Sequence, residues 1–323
     1  MPAVATPRAG PVTRAQREQA ERAAADADYF ARLGRAAATR TSRRILEKLI
    51  EAYRAGKNPA QLVPAAIAEL RADLVRVMLA GRLKGIERSI KAVPRTFQAA
   101  RPRQTAYDGA IRAMEKRLRL PEKALAKMAS QMDAHVVRVL DGVGDQAQRS
   151  LMETMSWITT ENLHVRDGVA ALRGAWNDLG LTEKNSFQLE AVYRTQTQLA
   201  YAAGRAEVES KPAVRDYLWG YKYITADDDR VRPSHMAMDG VTLPKDDPFW
   251  RTNKPPNGWS CRCQLIPLYD EEEVVEPPIQ VTDERGREVR VGADKGFEFD
   301  PGKMLKPTTG PDLAMPGDMA RPL

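Results

Sequence analysis

Three side chains in the second half of the chain are of the types that bind transition metals: His235, Cys261 and Cys263. Thiolates and imidazoles are the ligands that Zn²⁺ takes in tetrahedral sites. The two cysteines are separated by one residue, so on a strand both thiols lie on the same side. His235 precedes Cys261 by 26 residues, a length of chain that can return to the strand. The sequence predicts a candidate zinc site, with Asp229, Asp239 or water as the fourth ligand.

Other interpretations of the same residues stay open. The cysteines can be small buried apolar residues, with His235 hydrogen-bonded to a turn. A disulfide between Cys261 and Cys263 is disfavoured, because the geometry is strained. The proline content of the surrounding segment favours the metal over these alternatives. Six prolines occur from Pro233 to Pro267, which indicates a small unit rich in loops. Such a unit needs a cross-link, and a metal ion can supply it.

Catalytic chemistry is not favoured by the same residues. Cys261 and His235 have the types of a nucleophile and its base, but the sequence has no oxyanion loop and no glycine-rich nucleophile turn. The carboxylates of 227–229 can hold a divalent cation, although they lack the ligand spacing of an EF-hand; a solvated turn that caps a helix from Ser234 fits better. Phosphate-binding GxxxxGK and GxGxxG motifs are absent. We therefore predict no enzyme, no catalytic residues and no cofactor beyond zinc.

A long helix beginning at Thr182 should position part of this region. Arg194 and Arg205 are eleven residues apart, so they share one face of that helix and lie about 16 Å apart along it. Two guanidinium groups in line can hold carboxylates or backbone carbonyls of a neighbouring segment. Downstream, the pattern predicts a strand over 218–225, a short helix that stops at Gly240, short strands over 241–243 and 260–268, and a hairpin turning near 283–286.

The first half of the chain reads as helices. Helical composition and spacing cover 13–55, 62–93 and 107–118, and a further helix opens at Pro121 and weakens at Gly142 and Gly144. The predicted fold class is α+β: an elongated α-helical N-terminal region followed by a small α+β domain with short strands and a C-terminal hairpin. The predicted divisions are 1–165, 166–305 and a flexible tail over 306–323.

Composition and charge narrow the functional classes. The 323 residues are 43% hydrophobic and hold two cysteines, so we expect about two domains and a reducing cytoplasm. A transmembrane helix and a secretory signal are not expected. Residues 1–150 carry a balance of +14, and the rest carries −7. Such a split suggests that the basic half lies near a polyanion, unless its helices simply have solvated basic faces.

Four blocks carry a resemblance to a known family. They are VYRTQTQLAYAAGR (192–205), ITADDDRVRPSHMAMDGVTLPKDDPFW (224–250), PPNGWSCRCQLIPL (255–268) and KGFEFDPGK (295–303). In order and spacing they resemble the Mu F-like minor head proteins of tailed phages. The family-pattern residues are Arg194, Thr195, Gly204, Arg205, Asp229, Arg230, His235, Asp239, Gly240, Pro255, Pro256, Cys261, Arg262 and Cys263.

The resemblance implies a structural role for these residues and a virion location for the protein. Arg194, Arg205, Asp229, Asp239 and Gly240 are assigned to architecture, and the two arginines are expected to hold the acidic turn at 227–229. Further Cys or His residues in some family members, where this chain has Arg232 and Gly258, would give a fuller zinc set.

The function implied is that of a minor head protein inside the head near the portal, acting in head morphogenesis. Expected partners are the portal protein, the major capsid or scaffold protein and non-specific DNA, with no membrane. The alternatives are a phage-carried nuclease or toxin-like enzyme and a cytoplasmic DNA-binding protein.

Overall fold

The computed structural model describes residues 9–92, 122–161, 163–182 and 187–304, and it has the predicted α+β architecture. The helices are α1 (Arg14–Arg54), α2 (Val63–Ala92), α3 (Glu122–Thr160), α4 (Val165–Asp178), α5 (Phe187–Glu209), α6 (Pro212–Arg215), α7 (Pro233–Met236) and α8 (Pro301–Met304), with 3₁₀ turns at Pro59–Leu62 and Pro248–Arg251. The strands are β1 (Gly220–Ile224), β2 (Thr242–Pro244), β3 (Gln264–Leu268), β4 (Gln280–Thr282) and β5 (Glu288–Arg290). Within those ranges no helix combines the length and the hydropathy that crossing a membrane requires.

Helix α1 starts at a capping box. The Thr13 hydroxyl accepts the backbone N–H of Gln16, and the Gln16 side chain accepts the backbone N–H of Thr13, so the first turn satisfies its own free donors. Along its first half α1 buries the small side chains of Ala20, Ala23 and Ala27. Because these residues have only a methyl group, α1 can lie close to both the sheet and α5.

Helix α5 packs between α1 and α2, and its crossing with α2 is unusually close. A Cβ added at Gly85 would stand 2.0 Å from the carbonyl oxygen of Tyr201, and one added at Gly204 would stand 2.0 Å from that of Arg82. The two backbones therefore touch, and only glycine fits at these two positions.

The larger sheet has the antiparallel order β2-β1-β3. Its register sets Tyr221 opposite Leu243 and Tyr223 opposite Leu265. Side chains alternate between the two faces of a strand: these four join one apolar cluster, whereas Ile224 packs on the other face under α1. Both faces are thus covered, which is why β1 and β3 are buried along their whole length.

The end of the described chain returns to the helices. Strands β4 and β5 form the predicted hairpin around Gly286, which has φ +75°. Phe297 and Phe299 then insert into the helical core beside Trp259, and α8 packs on α5. The sequence has no helical or strand period beyond Pro301 and predicts an extended segment there, but Pro301–Met304 form one helical turn.

Two predicted elements differ from the structure. Helix α3 does not weaken at Gly142–Gly144 but continues to Thr160; Gly144 lies against Ile67 of α2, so this glycine serves close packing rather than termination. The predicted strand over 260–268 forms only from Gln264, so Cys261 and Cys263 lie in the loop before β3.

The predicted helix over 107–118 and the predicted tail over 306–323 lie outside the described residues. The predicted boundary at 165–166 stays a prediction; it falls at the start of α4, and the main apolar core contains residues from both sides of it, such as Leu74 and Leu199.

Candidate metal centre

The structure brings His235, Cys261 and Cys263 together in one buried cluster. His235 lies on α7, a single helical turn that begins at Pro233, where the fixed φ of proline suits the first helical position. The cysteines come from the loop before β3, which turns at Ser260 with φ +56°. Cys261 Sγ is 3.9 Å and Cys263 Sγ is 4.0 Å from His235 Nδ1, and the three ligand atoms lie within 4.8 Å of one another.

Helix α5 holds the loop that carries the cysteines. The Thr195 hydroxyl accepts the backbone N–H of Ser260 at 2.9 Å, the Gln198 amide donates to the carbonyl of Cys263 at 3.2 Å, and the Arg205 guanidinium donates to the carbonyl of Leu265. One face of α5 therefore supplies the backbone partners of this segment. These side chains satisfy polar groups that would be costly to bury unpaired.

A second layer of polar groups surrounds the cluster. His235 Nε2, on the far side of the ring from the thiols, lies 3.5 Å from Asp294 Oδ1. Arg232 pairs with Asp294 at 3.1 Å and donates to the carbonyl of Trp259 at 2.9 Å. The carboxylate of Asp294 thus lies beside the imidazole nitrogen that faces away from the thiols, and it is itself paired with an arginine.

The protonation states of the cluster depend on one another. A hydrogen bond from Cys263 and a second interaction with His235 lower the pKa of Cys261, against the effect of burial. The pKa of Cys263 is raised by the same bond to Cys261 and by burial. Burial alone would lower the pKa of His235, but Asp294 and Cys261 raise it to about 9. Each of the three groups therefore changes the pKa of the others.

Asp239 and Gly240 lie beside this cluster at the junction with α1. The fully buried carboxylate of Asp239 accepts from Arg17 Nη2 at 2.9 Å and from the backbone N–H and the hydroxyl of Thr225 at 2.7 and 3.0 Å. Gly240 has φ +87° and lies against the backbone of Gly10. Both oxygens of the Asp239 carboxylate are therefore occupied by hydrogen bonds, so Asp239 is unsuitable as the fourth metal ligand.

The prediction that the two arginines of α5 hold the acidic turn at 227–229 is wrong. Arg194 pairs with Asp28 at 2.7 Å and with Glu190 at 2.9 Å, and Arg205 pairs with Glu209 at 3.0 Å. Neither is bonded to the acidic turn: Arg194 reaches Asp28 of α1, and Arg205 donates to the carbonyl of Leu265 in β3.

The acidic turn is held by other residues. Arg262 donates to both oxygens of Asp228 at 2.5 and 2.6 Å, and Arg17 lies 3.8 Å from Asp227. Asp229, proposed both as a ligand and as an architectural residue, is exposed in this turn. Arg262 is part of the family pattern, whereas Arg17 and Asp294 are too distant in sequence for spacing to indicate them.

Comparison with known proteins supports the resemblance noted in the sequence. Residues 177–266 match the family model described as Phage Mu protein F like protein. The resemblance is therefore confirmed for this segment, which contains α5, β1, β2 and the three residues His235, Cys261 and Cys263. No solved structure matches the chain.

Two curated relatives cover part of the chain. The "Mu-like prophage FluMu F protein" of Haemophilus influenzae is 30% identical over 132 residues, which is 41% of this chain and 31% of the relative. The "Putative capsid assembly protein F" of Escherichia phage Mu is 37% identical over 82 residues, which is 25% of this chain and 18% of the relative. The matches thus span a third or less of each relative.

Proposed function

We propose that the chain is a structural minor head protein of a tailed phage or prophage that acts in head morphogenesis. The observation that carries the proposal is the match of residues 177–266 to the Mu F-like family. The "Putative capsid assembly protein F" of Escherichia phage Mu is one of the relatives that share this region. In this role the protein acts by docking on other head proteins and not by turnover.

The contacts made by the family-pattern residues support an architectural role for residues 177–266. Arg194, Arg205 and Asp239 each bond to groups within this chain, and Gly204 allows the contact between α2 and α5. Cys261 is only 4% exposed, which is unfavourable for a nucleophile that must meet a substrate. The motif thus joins the helices to the sheet.

We place the protein inside the head near the portal, with the portal protein and the major capsid or scaffold protein as its partners. The same proposal assigns the basic face of α1 to packaged DNA. Between Asp28 and Glu47 the helix carries Arg32, Arg35, Arg40, Arg43 and Arg44 and no acidic residue. Such a surface suits phosphate groups without reading base sequence.

The direct test is deletion of the gene from the phage or prophage that encodes it. We expect defective heads, restored by the wild-type gene. Mass spectrometry of purified proheads and mature particles should find the protein at a low, constant copy number. Its absence from both kinds of particle, together with normal heads after deletion, would contradict the assembly role.

An enzymatic role predicts a different outcome. A phage-carried nuclease would cleave duplex DNA in the presence of Mg²⁺ or Zn²⁺ and would lose that activity in Asp228→Asn or His235→Asn variants. We expect no cleavage by the wild-type protein. Cleavage that these variants abolish would replace the structural proposal with a catalytic one.

A further inference from the structure

We propose that His235, Cys261 and Cys263 bind one Zn²⁺ ion that fastens α7 to the loop before β3. The inference stands on the geometry of the cluster and is independent of the role in head assembly. It concerns a structural ion held in the folded protein, with no reaction assigned to it.

The separations of the ligand atoms suit a tetrahedral ion. Zn–S bonds of about 2.3 Å and Zn–N bonds of about 2.1 Å at tetrahedral angles place sulfur and nitrogen about 3.6 Å apart. The two observed distances from Nδ1 are 3.9 Å to Cys261 and 4.0 Å to Cys263. A contraction of a few tenths of an ångström in each of these two contacts gives the separation expected around the ion.

The charges balance when the ion binds. Any protons on the two sulfur atoms and on Nδ1 pass to solvent, and the two thiolates neutralise the two charges of Zn²⁺. His235 binds through the lone pair of Nδ1 and keeps its proton on Nε2, which faces Asp294. The ion and its three ligands are then neutral together, and burying an uncompensated charge is costly.

The outer groups have the form that supports a metal-bound histidine. Ligand histidines usually donate their second N–H to a carboxylate or carbonyl, and Asp294, fixed by Arg232 at 3.1 Å, occupies that position. Asp294 and Arg232 thus lie outside the set of three ligands, and neither replaces one of them.

A buried acceptor beside the thiols lacks a partner. Asn257 lies against Cys261 through its backbone N–H, and its side-chain nitrogen donates to the Tyr223 hydroxyl at 3.3 Å. Its side-chain oxygen is buried and has no hydrogen-bond partner among the residues that the structure describes. We assign the fourth position to a water, because the Asp239 carboxylate is bonded elsewhere and Asp229 is exposed in the neighbouring turn.

A cavity borders one ligand of the site. Cys261 is among the residues that line a space of about 240 Å³, together with Asp28 of α1, Arg194 and Gln198 of α5, and Arg262. Neither His235 nor Cys263 reaches this space, so the ion itself would be buried behind Cys261.

The test uses the full chain, purified under reducing conditions and reconstituted with Zn²⁺ or Co²⁺. We expect about one equivalent of zinc by elemental analysis and, with Co²⁺, the visible bands of a tetrahedral ion with a thiolate charge-transfer band. Less than about a tenth of an equivalent after reconstitution, with both thiols shown to be reduced, would overturn the proposal. So would a cobalt complex with no thiolate band.

Variants assign the ligands. Cys263→Ser and His235→Asn should lose the cobalt spectrum, and the Asp294→Asn protein, which keeps all three ligands, should bind zinc about 10–100-fold more weakly. His164→Asn is the matched control, because His164 is the N-cap of α4. If a ligand variant fails to fold by circular dichroism, the Asp294→Asn measurement and the wild-type spectrum decide. An unchanged zinc affinity in Asp294→Asn and an unchanged spectrum in Cys263→Ser would contradict the site.

Discussion

Asp239 is the carboxylate through which the sheet region is attached to α1. It is fully buried, and its ion pair with Arg17 joins residues 222 positions apart in the sequence. Replacing Asp239 by alanine leaves Arg17 without this partner and frees the backbone N–H of Thr225. We expect a loss of about 3–5 kcal/mol in the free energy of unfolding, the usual cost of breaking a buried pair.

Urea unfolding of Asp239→Ala measures this cost, and Asp229→Ala is its control. Asp229 is exposed in the neighbouring turn, so its removal should change the free energy by less than about 0.5 kcal/mol. Equal effects of the two substitutions would show that the Arg17 pair does not anchor the sheet.

Asp228 gives the acidic turn a dependence on pH. Hydrogen bonds from Arg262 are the main cause that lowers the pKa of its carboxyl. A carboxyl whose pKa is lower in the folded state stabilises the fold above its unfolded pKa of about 3.9, and the stabilisation disappears as the pH falls through the folded value.

The Arg262→Ala substitution should therefore destabilise the protein at about pH 7 and have a smaller effect at about pH 2, because acid protonates Asp228 and removes the charge with which Arg262 pairs. Denaturant unfolding at the two values checks this. Arg285→Ala, in the exposed hairpin turn, should have a small effect at both. A penalty for Arg262→Ala that is the same at both values would mean that the arginine acts through packing.

The contact between α2 and α5 makes a strong prediction about single methyl groups. The Cβ of Ala at position 85 or 204 would meet a carbonyl oxygen at 2.0 Å, so the helices must separate. Overpacking of this kind costs about 1–3 kcal/mol, and we expect at least that loss for Gly85→Ala or Gly204→Ala, measured by thermal or urea unfolding.

Gly174 of α4 is the matched control for these glycines. It is exposed, and an added Cβ there has no atom within 4 Å. Replacement by alanine should stabilise the protein by about 0.4–1 kcal/mol, because alanine restricts the unfolded chain without a clash. We expect the free energy of unfolding to rise in Gly174→Ala and to fall in Gly204→Ala. A change in the same direction in both variants would contradict the contact between the two helix backbones.

Elements with local signals were predictable from the sequence, and contacts between distant elements were not. Aromatic and β-branched residues in LWGYKYIT indicate β1, and its observed bounds, Gly220–Ile224, fall inside the predicted 218–225. The spacing of His235 from the cysteines also suggested that they could meet. The Asp239 partner could not be found in this way, since no local spacing indicates Arg17 of α1.

The Cys-x-Cys segment shows how residues can lie together as predicted although the predicted element that should carry them is wrong. Alternation suggested that both cysteines lie on a strand, but Thr195 and Gln198 of α5 take backbone groups that a neighbouring strand would bond. Ser260 adopts φ +56°, which is outside the extended region. The thiols still converge, because the loop is fixed by a helix instead of a ladder.

At the scale of the whole molecule, part of the positive charge of the first half of the chain is exposed on helix α1. The first 150 residues carry a balance of +14, and Arg32, Arg40 and Arg43 are exposed along α1. These three guanidinium groups are the ones to test for contact with DNA phosphates.

Binding of the full chain to duplex DNA should weaken as salt rises, with no preference for sequence. If Arg32, Arg40 and Arg43 each neutralise a phosphate, replacing all three by alanine lowers the slope of log affinity against log salt by about 2.7, at about 0.9 per phosphate. The control variant, with Arg251, Arg285 and Arg290 replaced by alanine, removes the same charge from exposed positions outside α1 and should change the slope far less. Fluorescence anisotropy over a salt series measures both. Equal slopes for the two variants would mean that net charge, and not the face of α1, attracts DNA; no binding even at low salt would leave the basic face for a head protein.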